Sequence, residues 1–247
     1  RGHGLTAGAD RLGIFGRGGW DRVIQDAREL NDHVASKHPS APRALLGHSM
    51  GAMLTQQYIA RHGDTIHAAV ISGSPGLGSA FGLWLSQTMA RLEHWRHGDV
   101  VTERMQERVF AAPNASFEES EATGFEWLSR DREEVRKYVE DPYCGFVVSA
   151  GSLSALLGGA REARRRRTIG KIPAHLPVYV FSGSDDPVHG NERGLRNLLE
   201  GYRSRLHRVD YRLYPEGRHE MLNEVNRHEV VDDLIAWLNE RMGPAQS

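Results

Sequence analysis

The chain has 247 residues, which is enough to bury a large core in one domain or in a domain that carries an inserted subdomain. Its 31 basic and 32 acidic residues give a net charge of −1, so no overall field would draw it to nucleic acid or to an anionic membrane surface. A single cysteine, Cys144, excludes an internal disulfide and is compatible with a reducing compartment. No apolar stretch approaches the roughly 20 residues of a membrane-spanning helix, and a cytoplasmic location is the default expectation.

The first part of the chain alternates helical and strand patterns. Apolar residues fall at helical spacing from Trp20 to His38, which predicts an amphipathic helix. After it come a predicted short buried strand over residues 43–47, a helix over 50–62 and a second strand over 66–72. Strands that alternate with helices are typical of a parallel sheet covered on both faces.

The sequence Gly47-His48-Ser49-Met50-Gly51 lies where the first of these strands meets the following helix. This spacing indicates a nucleophile elbow, a sharp turn that holds a serine hydroxyl where a base can reach it. Glycine is expected at both flanks, because a Cβ at either would crowd the turn. Ser49 is therefore the candidate nucleophile.

The strand pattern stops at about residue 75 and does not return before about residue 170. This segment is helical and irregular and is rich in Trp, Phe, Met and Arg, which predicts an insertion. The earlier alternation then resumes, with strands predicted over 177–183 and 208–214 and helices over 190–203 and about 226–242.

The loops after the last two predicted strands supply partners for Ser49, because reactive groups gather at the carboxyl ends of parallel strands. His219 lies in the second loop and is expected to take the Ser49 proton and pass it to the leaving group. Asp185 and Asp186 in the first loop compete for the acid that orients the imidazole. Asp186 is favoured, because Pro187 restricts it to an extended conformation.

A metal site at His219, Glu220 and Glu224 is a weaker interpretation. The stretch lacks the second histidine one turn along a helix that a zinc motif requires, so we expect no metal. His3 and His48 are expected to be structural neighbours of the site rather than proton carriers.

Six stretches are informative together: Arg1-Gly2-His3-Gly4, residues 47–51, 123–131 and 141–146, Asp186-Pro187-Val188, and residues 218–224. Over nearly the whole chain they resemble the α/β-hydrolases of the lysophospholipase and monoacylglycerol lipase group, which is also labelled serine aminopeptidase-like. Motifs around the three catalytic positions are widespread in that fold, whereas Trp127-Leu128-Ser129-Arg130-Asp131 and the 218–224 stretch are narrower and favour this subfamily.

The resemblance implies an α/β-hydrolase fold, with a mostly parallel sheet flanked by helices and an inserted helical cap. Residues 1–74 would form the first part of the core, 75–170 the cap and 171–247 the second part of the core. It also implies Asp186 as the acid and the Met50 amide as one oxyanion donor.

The function expected from these residues is that of a cofactor-independent serine hydrolase acting on carboxylic esters or lipids with a medium or long acyl chain. Aromatic residues of the insertion suggest the acyl preference, with Trp84, Trp127 and Phe146 as candidate substrate contacts, although such residues more often pack the core of a cap than line a substrate site. An alternative is a peptidase or amidase of the same fold, which would need an acidic residue such as Glu118, Glu119 or Glu121 to hold a substrate amine.

A third interpretation is a truncated, non-catalytic chain. In the family, the first strands and a His-Gly loop that supplies the second oxyanion donor precede the Arg-Gly-His-Gly motif, and here nothing precedes Arg1. We therefore expect a fragment in which the N-terminal strands and that donor are missing. The strand at 43–47 would become a bare hydrophobic edge, which predicts poor solubility or self-association.

Overall fold

The computed structural model describes residues 1–75, 80–100, 114, 117, 123–189 and 193–243. Four parallel strands form one sheet in the order β1-β2-β3-β4, and their bounds are β1 Ala44–His48, β2 Ala68–Ser72, β3 Val178–Gly183 and β4 Val209–Tyr214. The helices in chain order are α1 Gly4–Ala7, α2 Gly19–Lys37, α3 Met50–His62, α4 Ala80–His97, α5 Arg132–Glu140, α6 Ala150–Ala163, α7 Arg166–Ile169, α8 Arg193–Arg203 and α9 Arg227–Met242.

Helices cover both faces of this sheet. Alternate residues of the central strands point to opposite sides, so Ile71 and Val180 pack with α2, α3 and α8, whereas Val70 and Phe181 pack with α9. Every residue of β2 and β3 is buried, which explains why these segments are continuous apolar runs in the sequence. The predicted parallel sheet with flanking helices is confirmed.

The strand β1 lies at one edge of the sheet formed by the described residues, where it pairs with β2. Leu46 lies on the same face as its partner Val70, but α9 does not cover it and 38% of Leu46 is exposed. The hydrophobic strand edge expected from the sequence is therefore present.

The described residues between β2 and β3 contain the helices α4 to α7 and no strand. In this region α4 packs along α6, and α6 in turn packs on α2 and α3 of the core. None of the helices in the described part of the chain is long and apolar enough to cross a membrane.

Candidate active site

Ser49 lies in the turn between β1 and α3. Its backbone has φ 54° and ψ −113°, a left-handed conformation that a residue with a side chain adopts only under strain. The turn is anchored by the Ser49 amide, which donates to the Ser72 carbonyl oxygen over 3.0 Å. The sharp strand-to-helix turn predicted at this position is confirmed.

The two glycines beside this turn differ in what surrounds them. A Cβ on Gly47 would overlap the Gly51 carbonyl oxygen and the Thr55 hydroxyl. A Cβ on Gly51 would meet none of the described atoms within 4 Å beyond its neighbours and its own helix backbone, so it would stand in open space. The prediction that a side chain would crowd both positions is correct for Gly47 and wrong for Gly51.

Asp186 and His219 meet in the loops that follow β3 and β4. His219 Nδ1 lies 3.0 Å from Asp186 Oδ2, and each of the two residues is 1% exposed. Asp185 is exposed, and its carboxylate accepts a hydrogen bond from Ser184 Oγ instead. The structure therefore brings Asp186, and not Asp185, to the imidazole.

The register of the sheet explains why these loops meet. Gly183 at the end of β3 pairs with Tyr214 at the end of β4, so the two loops begin side by side. Two further hydrogen bonds of 2.9 Å join them, from the Ser184 amide to the Tyr214 carbonyl and from the Asp185 amide to the Gly217 carbonyl. Ser49 and Gly73 follow β1 and β2 at the same edge, as expected for parallel strands.

Asp186 is held as a carboxylate although it is buried. Burial raises its pKa, but the His219 ring and hydrogen bonds to the carboxylate outweigh this effect, so the pKa lies below its ordinary value. Ser182 Oγ donates to Oδ2 over 2.9 Å, and the Val188 amide donates to Oδ1 over 2.9 Å. A charged carboxylate at this place favours the tautomer with the proton on Nδ1, which leaves Nε2 as the basic nitrogen of His219.

Two aromatic rings enclose the imidazole of His219. Its ring centroid lies 4.6 Å from that of His48 and 4.9 Å from that of Trp127. His48 Nδ1 lies 3.2 Å from Ser72 Oγ, and burial together with the adjacent His219 lowers the pKa of His48 to about 3. His48 is therefore a neutral neighbour of the site near pH 7, as expected.

The described residues show no hydrogen bond between Ser49 and His219. Among the described residues, His219 Nε2 is buried and has no hydrogen-bond partner. The two residues are linked through their neighbours: the His48 ring packs on the imidazole, and a Cβ on Gly73 would lie 3.1 Å from His219 Cε1. Hydrogen bonds between nucleophile and base are often long in a free enzyme and tighten when substrate binds.

The Met50 amide stands at the N-terminus of α3. It is the first residue of that helix, and the first four amides of a helix have no carbonyl partner within it. Such amides bind anions well, because the helix dipole adds to their own partial charge. Met50 is thus positioned beside Ser49 with an N–H suited to a developing negative charge.

The three candidate substrate contacts lie in different surroundings. Trp127 is buried against the imidazole, Trp84 is 47% exposed on α4, and Phe146 packs edge-on against His3 with ring centroids 5.3 Å apart. Of the three, Trp127 is the one whose ring packs on His219, whereas the ring of Phe146 packs on His3. Glu118, Glu119 and Glu121, the acidic candidates for an amide substrate, lie outside the described residues.

Sequence reasoning missed the buried ion pair that Glu224 makes next to the histidine loop. Its side chain is fully buried and pairs with Arg130, whose Nε lies 3.0 Å from Glu224 Oε2. The two residues are 94 positions apart, in the narrow motifs around residues 127–131 and 218–224. The joint presence of those two motifs was the one signal that could have indicated the pair.

Comparisons with known proteins agree with this architecture. A family model described as "Serine aminopeptidase, S33" matches residues 1–226. A protein of Mycolicibacterium smegmatis named monoacylglycerol lipase is 29% identical, over 90% of this chain and 74% of that protein.

Solved structures show the same fold. A thermostable carboxyl esterase from Bacillus coagulans superposes with a TM-score of 0.88 at 24% identity, covering 98% of this chain and 78% of that one. A monoglyceride lipase from Saccharomyces cerevisiae superposes with a TM-score of 0.72 at 17% identity, covering 98% of this chain and 75% of that one.

Proposed function

The chain belongs to the serine aminopeptidase S33 family of α/β-hydrolases, and from that premise we propose that it cleaves carboxylic esters through an acyl-enzyme formed on Ser49. The observation that carries this proposal is that the candidate residues follow strands at the same end of one sheet. The strained turn of Ser49 and the buried Asp186–His219 pair stand at the ends of strands in one parallel sheet.

In the proposed reaction, Ser49 Oγ attacks the ester carbonyl carbon while its proton passes to His219 Nε2. Asp186 stabilises the resulting imidazolium through Nδ1, and the Met50 amide donates to the oxyanion. The C–O bond then breaks, and the leaving alcohol takes the proton from Nε2. A water activated by His219 attacks the acyl-enzyme in the same way, which releases the acid and restores Ser49.

The proposed substrates are small esters or lipids with a medium or long acyl chain. Two observations support this class: relatives are named as a monoacylglycerol lipase and a carboxyl esterase, and the buried Trp127 ring lies beside His219. Trp84 and Phe146 stay proposed substrate contacts. We also propose that residues 75–170 form a cap between two core segments, 1–74 and 171–247, which the helices α4 to α7 between β2 and β3 support.

A fluorophosphonate probe tests the proposal, because such probes react only with an activated serine. We expect labelling of the wild-type chain and none of Ser49→Ala, together with a burst of alcohol from p-nitrophenyl esters. Full ester turnover by Ser49→Ala would end the proposed mechanism. An unlabelled, folded wild type would favour the non-catalytic interpretation.

The same preparation separates an esterase from a peptidase or amidase. Parallel assays with p-nitrophenyl esters and amino-acid anilides compare the turnover of ester and amide substrates by the same protein. We expect turnover of the esters, and preferential turnover of the anilides would instead favour the amide substrate.

We further propose that the chain self-associates through the free edge of β1. An edge strand offers unpaired main-chain donors and acceptors to another chain, and the exposed Leu46 adds apolar surface there. A cytoplasmic location stays a prediction.

A further inference from the structure

We infer that Glu224 is a positioning residue for His219 and acts through the main chain that carries the imidazole. This inference rests on the proposed function, in which His219 is the base. It assigns a role to Arg130 and Glu224, the residues of the two narrow motifs, around residues 127–131 and 218–224, that the proposed reaction itself does not use.

The carboxylate of Glu224 is fully buried and receives four N–H groups. Oε1 accepts from the amides of Arg218 and Arg130, over 2.9 and 3.1 Å. Oε2 accepts from Arg130 Nε over 3.0 Å and from the Val225 amide over 2.9 Å. Two donors on each oxygen fix the direction of this carboxylate, and a buried charge tolerates little departure from such geometry.

The residues around His219 are joined to the 126–129 segment by their own main chain. The His219 amide donates to the Trp127 carbonyl over 3.2 Å, and the Glu220 amide donates to the Leu128 carbonyl over 2.7 Å. The Arg218 guanidinium reaches the same segment, with Nη1 2.6 Å from the Glu126 carbonyl oxygen. Three consecutive residues, 218 to 220, are therefore held against one neighbouring segment.

Glu224 adds a further link between these two segments at Arg218, the residue before His219. One of its oxygens bonds the amide of Arg218 in the histidine loop and the amide of Arg130 in the neighbouring segment. The ring itself has one hydrogen bond among the described residues, to Asp186, because Nε2 is unpartnered. The direction in which Nε2 points therefore also depends on the main chain of the loop, which Glu224 holds at Arg218.

The structure offers a matched control at Glu216. The Glu216 carboxylate lies 3.2 Å from Nη1 of Arg130, the arginine that also pairs with Glu224. In contrast to Glu224, the Glu216 side chain is 80% exposed. Water and salt screen such an exposed ion pair, so its contribution is small. Glu216→Gln and Glu224→Gln remove the same charge, and only the second changes the carboxylate that accepts from the Arg218 amide.

The chemistry of glutamine makes Glu224→Gln a sharp change. The glutamine side chain keeps one acceptor oxygen, but an NH2 group replaces the other oxygen of the carboxylate. This NH2 group is a donor and would face two N–H donors of the surrounding residues. Arg130→Lys is milder, because it keeps the positive charge and the Arg130 amide while removing the Nε donor.

The test compares wild type, Glu224→Gln, Arg130→Lys and Glu216→Gln, each shown to be folded by a cooperative thermal transition. We expect Glu224→Gln to lower the fluorophosphonate labelling rate of Ser49 by about 10- to 100-fold, as a misplaced catalytic group does. Ester kinetics should show kcat falling with KM changed by less than about twofold, because only the base is displaced. Arg130→Lys should be intermediate, and Glu216→Gln should match wild type.

A folded Glu224→Gln protein that labels within about twofold of wild type would overturn the inference. Equal losses in Glu224→Gln and Glu216→Gln would overturn it as well. If Glu224→Gln does not fold, Arg130→Lys decides, and labelling no slower than in Glu216→Gln contradicts the inference.

A spectroscopic readout separates this inference from the proposed function. The His219 Nδ1 proton, hydrogen-bonded to Asp186, should give a low-field NMR signal in wild type and Glu216→Gln and lose or shift it in Glu224→Gln. If wild type is not labelled by the probe, the proposed function fails, yet this signal still tests the positioning. An unchanged signal in Glu224→Gln would refute it.

Discussion

Gly47 and Gly51 form a matched pair of positions for alanine substitution. At Gly47 a Cβ would overlap the Gly51 carbonyl oxygen, which belongs to the backbone of α3 and cannot move alone. We expect Gly47→Ala to lower the free energy of unfolding by at least about 1–3 kcal/mol. Gly51→Ala should instead raise it by about 0.5–1 kcal/mol, because the helix gains a better helix former in open space.

Urea unfolding of both variants measures this difference. A Gly47→Ala protein as stable as Gly51→Ala would show that the turn at Ser49 is looser than its geometry indicates. The contrast does not depend on catalysis, so it tests the turn separately from the chemistry.

His48 makes stability depend on pH. Its pKa is about 3 in the folded protein against an ordinary 6.5, so between these values the unfolded chain binds a proton that the folded protein does not. Stability therefore falls as the pH drops from about 6.5 towards 3. His48→Gln should flatten the pH dependence of the free energy of unfolding by up to about 1.4 kcal/mol per pH unit in this window.

Denaturant unfolding at several pH values checks this expectation, with the exposed His38→Gln as the control. The buried Asp186 adds to acid sensitivity only below its ordinary value of 3.8, since its pKa is lowered. If the free energy of unfolding of His48→Gln depends on pH as steeply as that of wild type above pH 3.8, the prediction is contradicted.

At single residues, the sequence was informative where a local rule applies. Ser49 was recognisable from its flanking glycines, and Asp186 was preferred over Asp185 because proline restricts the residue before it. Glu224 was not predictable in the same way, because its partner Arg130 lies 94 positions away and only the folded chain brings them together. The error at Gly51 has a similar origin, since the direction of an absent Cβ depends on how α3 leaves the turn.

At the scale of elements, the alternation of strands and helices was predicted closely. The strand expected from residue 66 begins at Ala68, because the chain first makes a 3-10 turn over Gly63–Thr65 and the Ile66 amide bonds back to the Gly63 carbonyl. The apolar pattern of the sequence predicts which segment forms a strand, but the residue at which the strand starts depends on its pairing with β1.

The packing of α6 on α2 depends on one glycine. A Cβ on Gly159 would overlap the indole of Trp20, which is buried in the core. At the adjacent Gly158, a Cβ would meet the amide end of Gln87, a longer and more flexible side chain that is buried and hydrogen-bonded to Ser154 and Arg161. We expect Gly159→Ala to lower the free energy of unfolding by about 1–3 kcal/mol and Gly158→Ala to lower it by less.

Thermal and urea unfolding of the two alanine variants measure this contrast between neighbouring positions. Equal effects would mean that α6 can shift as a whole to admit the new methyl group. Because both substitutions exchange the same residue types in one helix, helix propensity cancels between them.

At the scale of the whole molecule, the proposed self-association is expected to depend on the edge strand β1. Leu46 is 38% exposed on β1, and a charged residue on an edge strand opposes pairing with another chain. We expect wild type to form larger species with rising concentration in sedimentation velocity, and Leu46→Lys to reduce them. Leu5→Lys, at a residue that is 90% exposed on α1, provides the matched control.

A wild-type chain that sediments as one small species at every concentration would contradict the proposed self-association. If Leu5→Lys reduces the larger species as much as Leu46→Lys does, the cause is added charge rather than the β1 edge. The parallel sheet with helices on both faces was predictable from the sequence, whereas the degree to which α9 leaves Leu46 uncovered required the packed structure.

The main-chain bonds from His219 and Glu220 to Trp127 and Leu128 tie the imidazole to this stretch of chain. An outward movement of residues 127–128 that kept these bonds would carry the imidazole with it. In the proposed reaction such a movement would displace the base, so we expect the ester to approach His219 from a side other than that of residues 127–128.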